Sequence, residues 1–392
     1  MRKLRVLSLS TLYPNDLTPN FGVFVERQMT AVAARGDVDL VMVNPIGLPP
    51  FPLSLHPRYR PLVSLTRTER REGVDVIRPR FALLPGTGGR FNARFEASGV
   101  LPLARKLHVE APFDLVDAQF FYPDGPAAMR VARALGLPCS IKARGADIHF
   151  WGHASGTARQ VQDAARGADG LLAVSGGLAD ELVALGAQRT RITLHRTGLD
   201  RTVFHPLDRA ESRTKLGLPL ARPVLACVGA LIERKGQSFA IEALAELPDA
   251  LLILAGAGPD EAKLRLLAAK LGVSERVRFL GPVPHGELPV VLSAADIFVL
   301  PTRSEGLANA WVEALACGTP VVTTPIPGAQ ELLTDPAYGR MTKRDGGAIA
   351  IAVKGLLSSP PRREAVLAGA AAFSWEANAE ALVTHWRNLA RK

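Results

Sequence analysis

SEGLANAWVEALACGTPVV, residues 304–322, follows the apolar run DIFVLP at 296–301 and carries two acids, Glu305 and Glu313, with seven residues between them. DIFVLP reads as a buried strand, the Ser-Glu-Gly segment as a turn, and Asn309 as the opening of an apolar helix with Glu313 one turn in. In an open parallel sheet, ligands meet the carboxyl ends of the strands, which puts Glu305 at that edge. A helix start there offers unpaired N–H groups and a positive dipole end, where an anion such as a diphosphate docks. Glu313, beside that anion, has the chemistry to accept two hydroxyl bonds, as a carboxylate does from a ribose diol. The plainer alternative is that acids near a helix start only favour its dipole, by about 0.3–1 kcal/mol. Spacing alone leaves both open.

Working outward, the same strand–helix rhythm fills the chain. In the first half, LRVLSLS (4–10), VDLVMVN, GVDVIRP (73–79), FDLVDAQ (113–119), PCSIKAR (138–144) and GLLAVS (170–175) read as strands. Helices are expected over Phe24–Ala34, Pro126–Leu135 and Gly177–Leu185. Residues 196–222 are polar, with several Gly and Pro, and read as a linker. The alternation then restarts with PVLACVG (223–229), LLILAG (251–256), VRFLG (277–281), DIFVLP and PVVTT (320–324). Near-continuous apolar strands alternating with helices mean parallel sheets covered on both faces. The fold class is therefore α/β, with two Rossmann-like domains over residues 1–197 and 198–374 and a cleft between them. A terminal helix over 375–392 is expected to pack back across both.

The chain has 392 residues, 47% of them hydrophobic, and a net charge of +10. That length supplies more than one core. No apolar run approaches the roughly 20 residues of a spanning helix. The start, MRKLRVLSLSTLYP, alternates its apolar residues with serines and lacks a small-residue cleavage site, so it reads as a first strand and the protein as cytoplasmic. Cys139, Cys227 and Cys317 lie far apart in apolar surroundings and read as buried thiols. Eleven basic residues crowd residues 58–106, interleaved with Phe81, Leu83, Leu84 and Phe91. An anionic inner-membrane surface is a candidate partner for that stretch, against the plainer reading of a solvated, arginine-rich face. No nucleic-acid motif accompanies the charge.

The run SEGLANAWVEALACGTPVVTT resembles the E-x7-E signature of the retaining glycosyltransferases of family 4, which have the GT-B fold. VGALIERKG (228–236), LLILAGAGP (251–259), VRFLGPVPHGEL (277–288) and SAADIFVLPTRSEG (293–306) are similar to that family's C-domain in order and spacing. TLYPNDLTPNFGVFVERQ (11–28) and KARGADI (142–148) resemble its acceptor-side loop and its HG-x-D segment. The resemblance implies transfer of a sugar from a UDP- or GDP-linked donor to a glycan, lipid-linked or small-molecule acceptor, with no cofactor, in cell-surface polysaccharide or glycolipid synthesis. It implies that Glu313 binds the donor ribose, Lys235 neutralises the diphosphate, and Glu305 orients the transferred sugar. The amides of Gly306, Leu307, Ala308 and Asn309 would hold phosphate and sugar oxygens, and Val283 would face the base. Gly22 would let backbone approach the ligand, and Asp147 takes the HG-x-D aspartate position.

Two positions depart from the pattern. Ala230 stands where the family often has an arginine, and Arg234, next to Lys235, is the candidate substitute. Arg144 stands where the family has the histidine that contacts the sugar, and His149 lies near it in sequence. A lysine, an arginine and a helix start around a leaving diphosphate stabilise its charge without a metal. The chain's D-x-D, Asp37-Val38-Asp39, sits at the start of a strand and reads as structural. Two other classes fit parts of the pattern. One is a GT-B-fold epimerase or phosphorylase, although no pyridoxal-lysine motif is present. The other is a non-catalytic sugar-nucleotide-binding protein.

Overall fold

A computed structural model describes residues 2–391. They form two compact units, 2–198 with 375–391, and Leu199–Ser374.

The first unit contains β1 (Leu4–Leu9), β2 (Val38–Val43), β3 (Ile46–Leu48), β4 (Thr68–Arg71), β5 (Val74–Ile77), β6 (Arg80–Ala82), β7 (Leu115–Ala118), β8 (Cys139–Ala143), β9 (Gly170–Ala173) and β10 (Ile192–Leu194). Eight of these make one sheet in the order β10-β9-β8-β7-β1-β2-β5-β4, while β3 and β6 pair separately. All pairs are parallel except the edge hairpin β4–β5. The central strands β7, β8 and β9 are buried along their whole length, as strands covered on both faces must be. The helices expected from the sequence run over Val23–Ala34, Asp124–Leu135 and Gly176–Ala184. Ser175 caps the last, its side chain accepting the Leu178 N–H at 3.3 Å.

The terminal helix Trp375–Ala390 completes this first unit's core. Its Leu382, Val383 and Trp386 join Val25, Met29 and Val32 of helix Val23–Ala34 in one apolar cluster. Trp386 is fully buried and donates its indole N–H to Asp117 Oδ1 at 2.9 Å. A buried donor of that size needs such an acceptor.

The second unit has six parallel strands, β11 (Val224–Val228), β12 (Leu251–Ala255), β13 (Val277–Gly281), β14 (Ile297–Leu300), β15 (Val321–Thr323) and β16 (Gly339–Met341). Their order is β13-β12-β11-β14-β15-β16. β11 and β14 are central neighbours, so the loops leaving their carboxyl ends lie side by side. These loops carry Arg234 and Lys235 on one side and Glu305 on the other. The segment read as a linker, 196–222, contains a short helix of its own, Arg209–Lys215, capped by Asp208.

Candidate active site

Beyond β11 the chain makes a 3-10 turn, Glu233–Lys235, and then enters helix Gln237–Ala245 through Gly236. Gly236 has φ +77°, and a Cβ there would overlap the Pro301 carbonyl. Only glycine lets this turn press so closely onto the loop after β14. Three further residues fasten the two loops. The Arg303 N–H donates to the Arg234 carbonyl at 2.8 Å. The Thr302 hydroxyl donates to the same carbonyl at 3.2 Å. Arg344 donates to the Pro301 carbonyl at 2.9 Å and to that of Glu233, while its guanidinium lies over the Phe239 ring.

Glu305 Oε1 is the meeting point. Lys235 Nζ approaches it at 2.5 Å, Arg234 Nη1 at 2.8 Å and the Thr302 hydroxyl at 3.3 Å. Burial raises the Glu305 carboxyl, but the Lys235 and Arg234 charges outweigh it and hold the group below the usual carboxylate range. Arg234 also donates to the Ser304 carbonyl.

Gly306, Leu307 and Ala308 then lead into helix Asn309–Ala316, whose first turn has no side-chain cap. Gly306 and Ala308 are buried, and Leu307 and Asn309 are partly exposed. Glu313 Oε1 meets His285 Nε2 at 2.9 Å, and the His285 ring stands edge-on to Phe204 at 4.9 Å. Among the described residues no protein group donates to the other oxygen of Glu313 or of Glu305. Val283, two residues before His285, packs half-buried against the core. The structure thus gathers Glu305, Arg234 and Lys235 into one cluster, and pairs Glu313 with a histidine that sequence reasoning passed over. His285 sits in the quoted run VRFLGPVPHGEL, but a lone histidine in a loop carries no signal without its partner.

In the first unit, the Asp147 carboxylate accepts the backbone N–H groups of Phe121 (2.8 Å), Arg144 (3.0 Å) and Gly145 (2.7 Å). It is fully buried, and burial raises its carboxyl despite those three bonds. Asp147 therefore shapes the turn after β8. Arg144 is anchored by that turn: Nε donates to the Gln119 carbonyl at 2.6 Å, Nη2 to Gln119 Oε1 at 2.7 Å, and the guanidinium covers the Phe24 ring at 4.8 Å. His149 faces Glu181 at 2.9 Å. Gly22 has φ +80°, and a Cβ there would lie 2.5 Å from the Leu12 carbonyl carbon, so the close approach it permits is to the chain's own backbone.

Behind Arg144 runs a buried polar chain that the sequence did not disclose. Lys142 Nζ donates to Gln28 Oε1 and meets His195 Nδ1, each at 2.7 Å. His195 Nε2 donates to the Asn378 carbonyl at 2.9 Å, which leaves Nδ1 as the acceptor for Lys142. Burial, and then the Arg144 charge, push the Lys142 ammonium well below the usual lysine range. Gln28 in turn donates to Gln119 at 2.6 Å, and Gln119 to Asp117 at 2.7 Å.

The basic stretch 58–106 divides in the structure. Arg78 is buried against Glu69 at 2.6 Å, Arg71 pairs with Glu26, and Phe81 lies in the core. Arg78 and Phe81, both buried, therefore cannot face a membrane. Asp37 pairs with Arg35 and Arg387, and Asp39 with Arg5. The three cysteines are free and buried. Among the described residues, no three His, Cys, Asp or Glu side chains group as metal ligands, and no helix is long and apolar enough to cross a membrane.

Known proteins resemble the chain in sequence and in fold. The family profile for glycosyl transferases group 1 matches residues 208–372, and that for a glycosyl transferase 4-like domain matches residues 21–198. The chain is 30% identical over 337 residues to a Bacillus subtilis (strain 168) protein described as "Putative teichuronic acid biosynthesis glycosyltransferase TuaC", covering 84% of this chain and 83% of that one. Among solved structures, a sucrose-phosphate synthase from Thermosynechococcus elongatus superposes with a TM-score of 0.80 at 21% identity, covering 99% of both chains. Anabaena Alr3699/HepE in complex with UDP-glucose superposes with a TM-score of 0.70 at 21% identity, covering 99% of this chain and 98% of that one.

Proposed function

The chain belongs to the group 1 glycosyltransferases, with the GT-B fold, and we propose that it is a retaining, metal-independent hexosyl- or related transferase using a UDP- or GDP-linked sugar. The observation that carries this reading is the pair Lys235 and Arg234 converging on Glu305 Oε1, on the loop that leads into an uncapped helix start. One carboxylate does not neutralise two cations, and the excess positive charge suits a diphosphate. The donor's β-phosphate would take up Lys235 and Arg234, with the amides at Leu307–Asn309 as further donors. Glu313, steadied by His285, would accept the ribose hydroxyls, and Val283 would meet the base.

In the reaction, the bond between the anomeric carbon and the β-phosphate oxygen breaks as an acceptor hydroxyl oxygen bonds that carbon on the same face. The departing phosphate takes the hydroxyl proton, so no protein nucleophile is required. The two cations stabilise the charge that develops on that phosphate, where preorganised electrostatics act most strongly. The acceptor class is a glycan, a lipid-linked sugar or a small molecule, in cell-surface polysaccharide or glycolipid synthesis. The description of the Bacillus subtilis relative as a putative teichuronic acid biosynthesis glycosyltransferase is in keeping with a cell-surface polymer.

The test is a thermal-shift panel of nucleotide sugars followed by turnover with each stabilising donor and an acceptor extract. A UDP- or GDP-sugar that raises Tm and is consumed only when acceptor is present supports transfer. Consumption without acceptor, giving an isomeric sugar nucleotide, points to an epimerase. Binding without turnover points to a non-catalytic protein.

A further inference from the structure

Between β3 and β4 the chain crosses residues 49–67 with only a 3-10 turn, Leu53–Leu55, and a one-turn helix, Arg60–Val63. Its large apolar side chains point outward: Phe51 is 79% exposed, Leu55 60%, Val63 53% and Leu53 51%. Single exposed apolar residues are ordinary on a soluble surface, whereas a run of them marks a face that meets another apolar phase. The segment holds its shape through its own backbone. The His56 N–H donates to the Leu53 carbonyl at 3.1 Å, that of Tyr59 to His56 at 2.8 Å, and that of Leu62 to Tyr59 at 3.0 Å. Arg80 donates to the Leu65 carbonyl and ties its far end down.

The charge around this run is of one sign. From Leu40 to Thr68 there is no Asp or Glu, and Arg58, Arg60 and Arg67 are all exposed. β3 and β6 pair in parallel, so the loops that follow them leave the same end of that ladder. The loop after β6 carries Arg90 and Phe91, which with Phe150 and Trp151 line a cavity of about 430 Å³. Phe150 is itself 63% exposed. Apolar and cationic groups thus accumulate at one end of the first unit.

We infer that residues 51–63 form an interfacial anchor that seats this unit on an anionic lipid bilayer. Phe51, Leu53, Leu55 and Val63 enter the boundary between headgroups and acyl chains, and Arg58, Arg60 and Arg67 meet the headgroup charge. A second copy of the chain is disfavoured as the occupant. A two-fold interface would set these arginines against their own symmetry mates with no acid in the segment to pair them. The inference does not depend on the transferase reading, because vesicle binding needs neither donor nor acceptor.

The experiment is co-sedimentation of the full chain with phosphatidylcholine vesicles, with and without phosphatidylglycerol, at low and high salt. The wild type is expected to bind the anionic vesicles reversibly, and salt to weaken binding as the screening length shortens. The triple variant Phe51→Ser/Leu53→Ser/Leu55→Ser is expected to lose about tenfold or more in partitioning, since each buried methylene contributes to insertion. Arg58→Ser/Arg60→Ser is expected to lose the preference for anionic lipid. Leu266→Ser and Ile351→Ser, at residues 72% and 71% exposed in the second unit, are expected to bind as the wild type does. Equal sedimentation of the triple variant and the wild type, or no wild-type binding to any vesicle, overturns the inference. So does a wild-type dimer that ignores vesicles and becomes monomeric in the triple variant. Circular dichroism confirms that each variant is folded.

Discussion

Lys235 Nζ stands 2.5 Å from Glu305 Oε1, and Arg234 Nη1 reaches the same oxygen at 2.8 Å. The second cation lies next to the first in sequence, where Ala230 leaves the family's usual arginine position neutral. Lys235→Ala is expected to lower kcat by about 10²–10³-fold, the range for removing one preorganised charge-stabilising donor. Arg234→Ala is expected to be damaging as well, since nothing else on that turn replaces it. Steady-state kinetics with the matching donor decide. Full activity in Arg234→Ala removes Arg234 from the site and leaves the Lys235 role standing.

Glu313 has one oxygen on His285 at 2.9 Å and no protein donor on the other among the described residues. Glu313→Ala is expected to weaken binding of the nucleoside diphosphate by about tenfold or more, as hydrogen bonds to a charged group are worth roughly 1.5–3 kcal/mol. His285→Ala is expected to cost less, because it removes the orienting partner and leaves the acceptor. Calorimetry reads both. Unchanged affinity in a folded Glu313→Ala variant takes Glu313 out of the ribose site.

Activity is expected to persist in excess EDTA. Two side-chain cations already stand where the leaving charge would develop, and Asp37 and Asp39 are engaged with Arg35, Arg387 and Arg5. Complete loss of turnover, restored by added divalent metal, would assign the charge stabilisation to a metal ion.

The central strands of both sheets are legible in the sequence because each is a short Val/Leu/Ile run bounded by turn residues, as in β8, β11 and β14. The edge and short strands β3, β4, β6, β10 and β16 are not, since three or four residues of mixed composition make no sustained apolar run and gain their pairing only from their partners. The same distinction holds at the site. Glu305, Lys235 and Glu313 stand in runs whose order and spacing carry information. His285, Arg344 and the chain Gln28–Lys142–His195 gain meaning only where distant segments meet. Phe81 and Arg78 show the reverse error: in a basic, apolar-studded stretch they read as surface, but one fills the core and the other pairs with Glu69 inside it.

Glu96 supplies a prediction about pH. It lies inside helix Asn92–Glu110, fully buried, and neither carboxyl oxygen has a hydrogen-bond donor among the described residues. Burial, and then the charge of Asp124, raise its carboxyl well above the usual range. The folded state therefore keeps a proton that the unfolded state releases. Stability is fullest below the ordinary glutamate value, and declines as pH rises from there toward the raised one. Each unit of that shift is worth about 1.4 kcal/mol. Glu96→Gln keeps the shape and removes the titration. Between about pH 5 and 8 the variant is expected to gain on the wild type as pH rises, because only the wild type must bury a growing negative charge. Asp124 acts in the same window, since burial pushes its carboxyl up to about 7, so Asp124→Asn is also expected to gain on the wild type as pH rises. Asp124 Oδ2 also accepts the Thr11 N–H at 2.9 Å, and the amide keeps one acceptor oxygen for that bond, so Asp124→Asn carries a fixed cost beneath its pH-dependent gain. Denaturant midpoints measured at several pH values give the answer. Parallel profiles for the wild type and Glu96→Gln would show that Glu96 does not hold a proton in the folded protein.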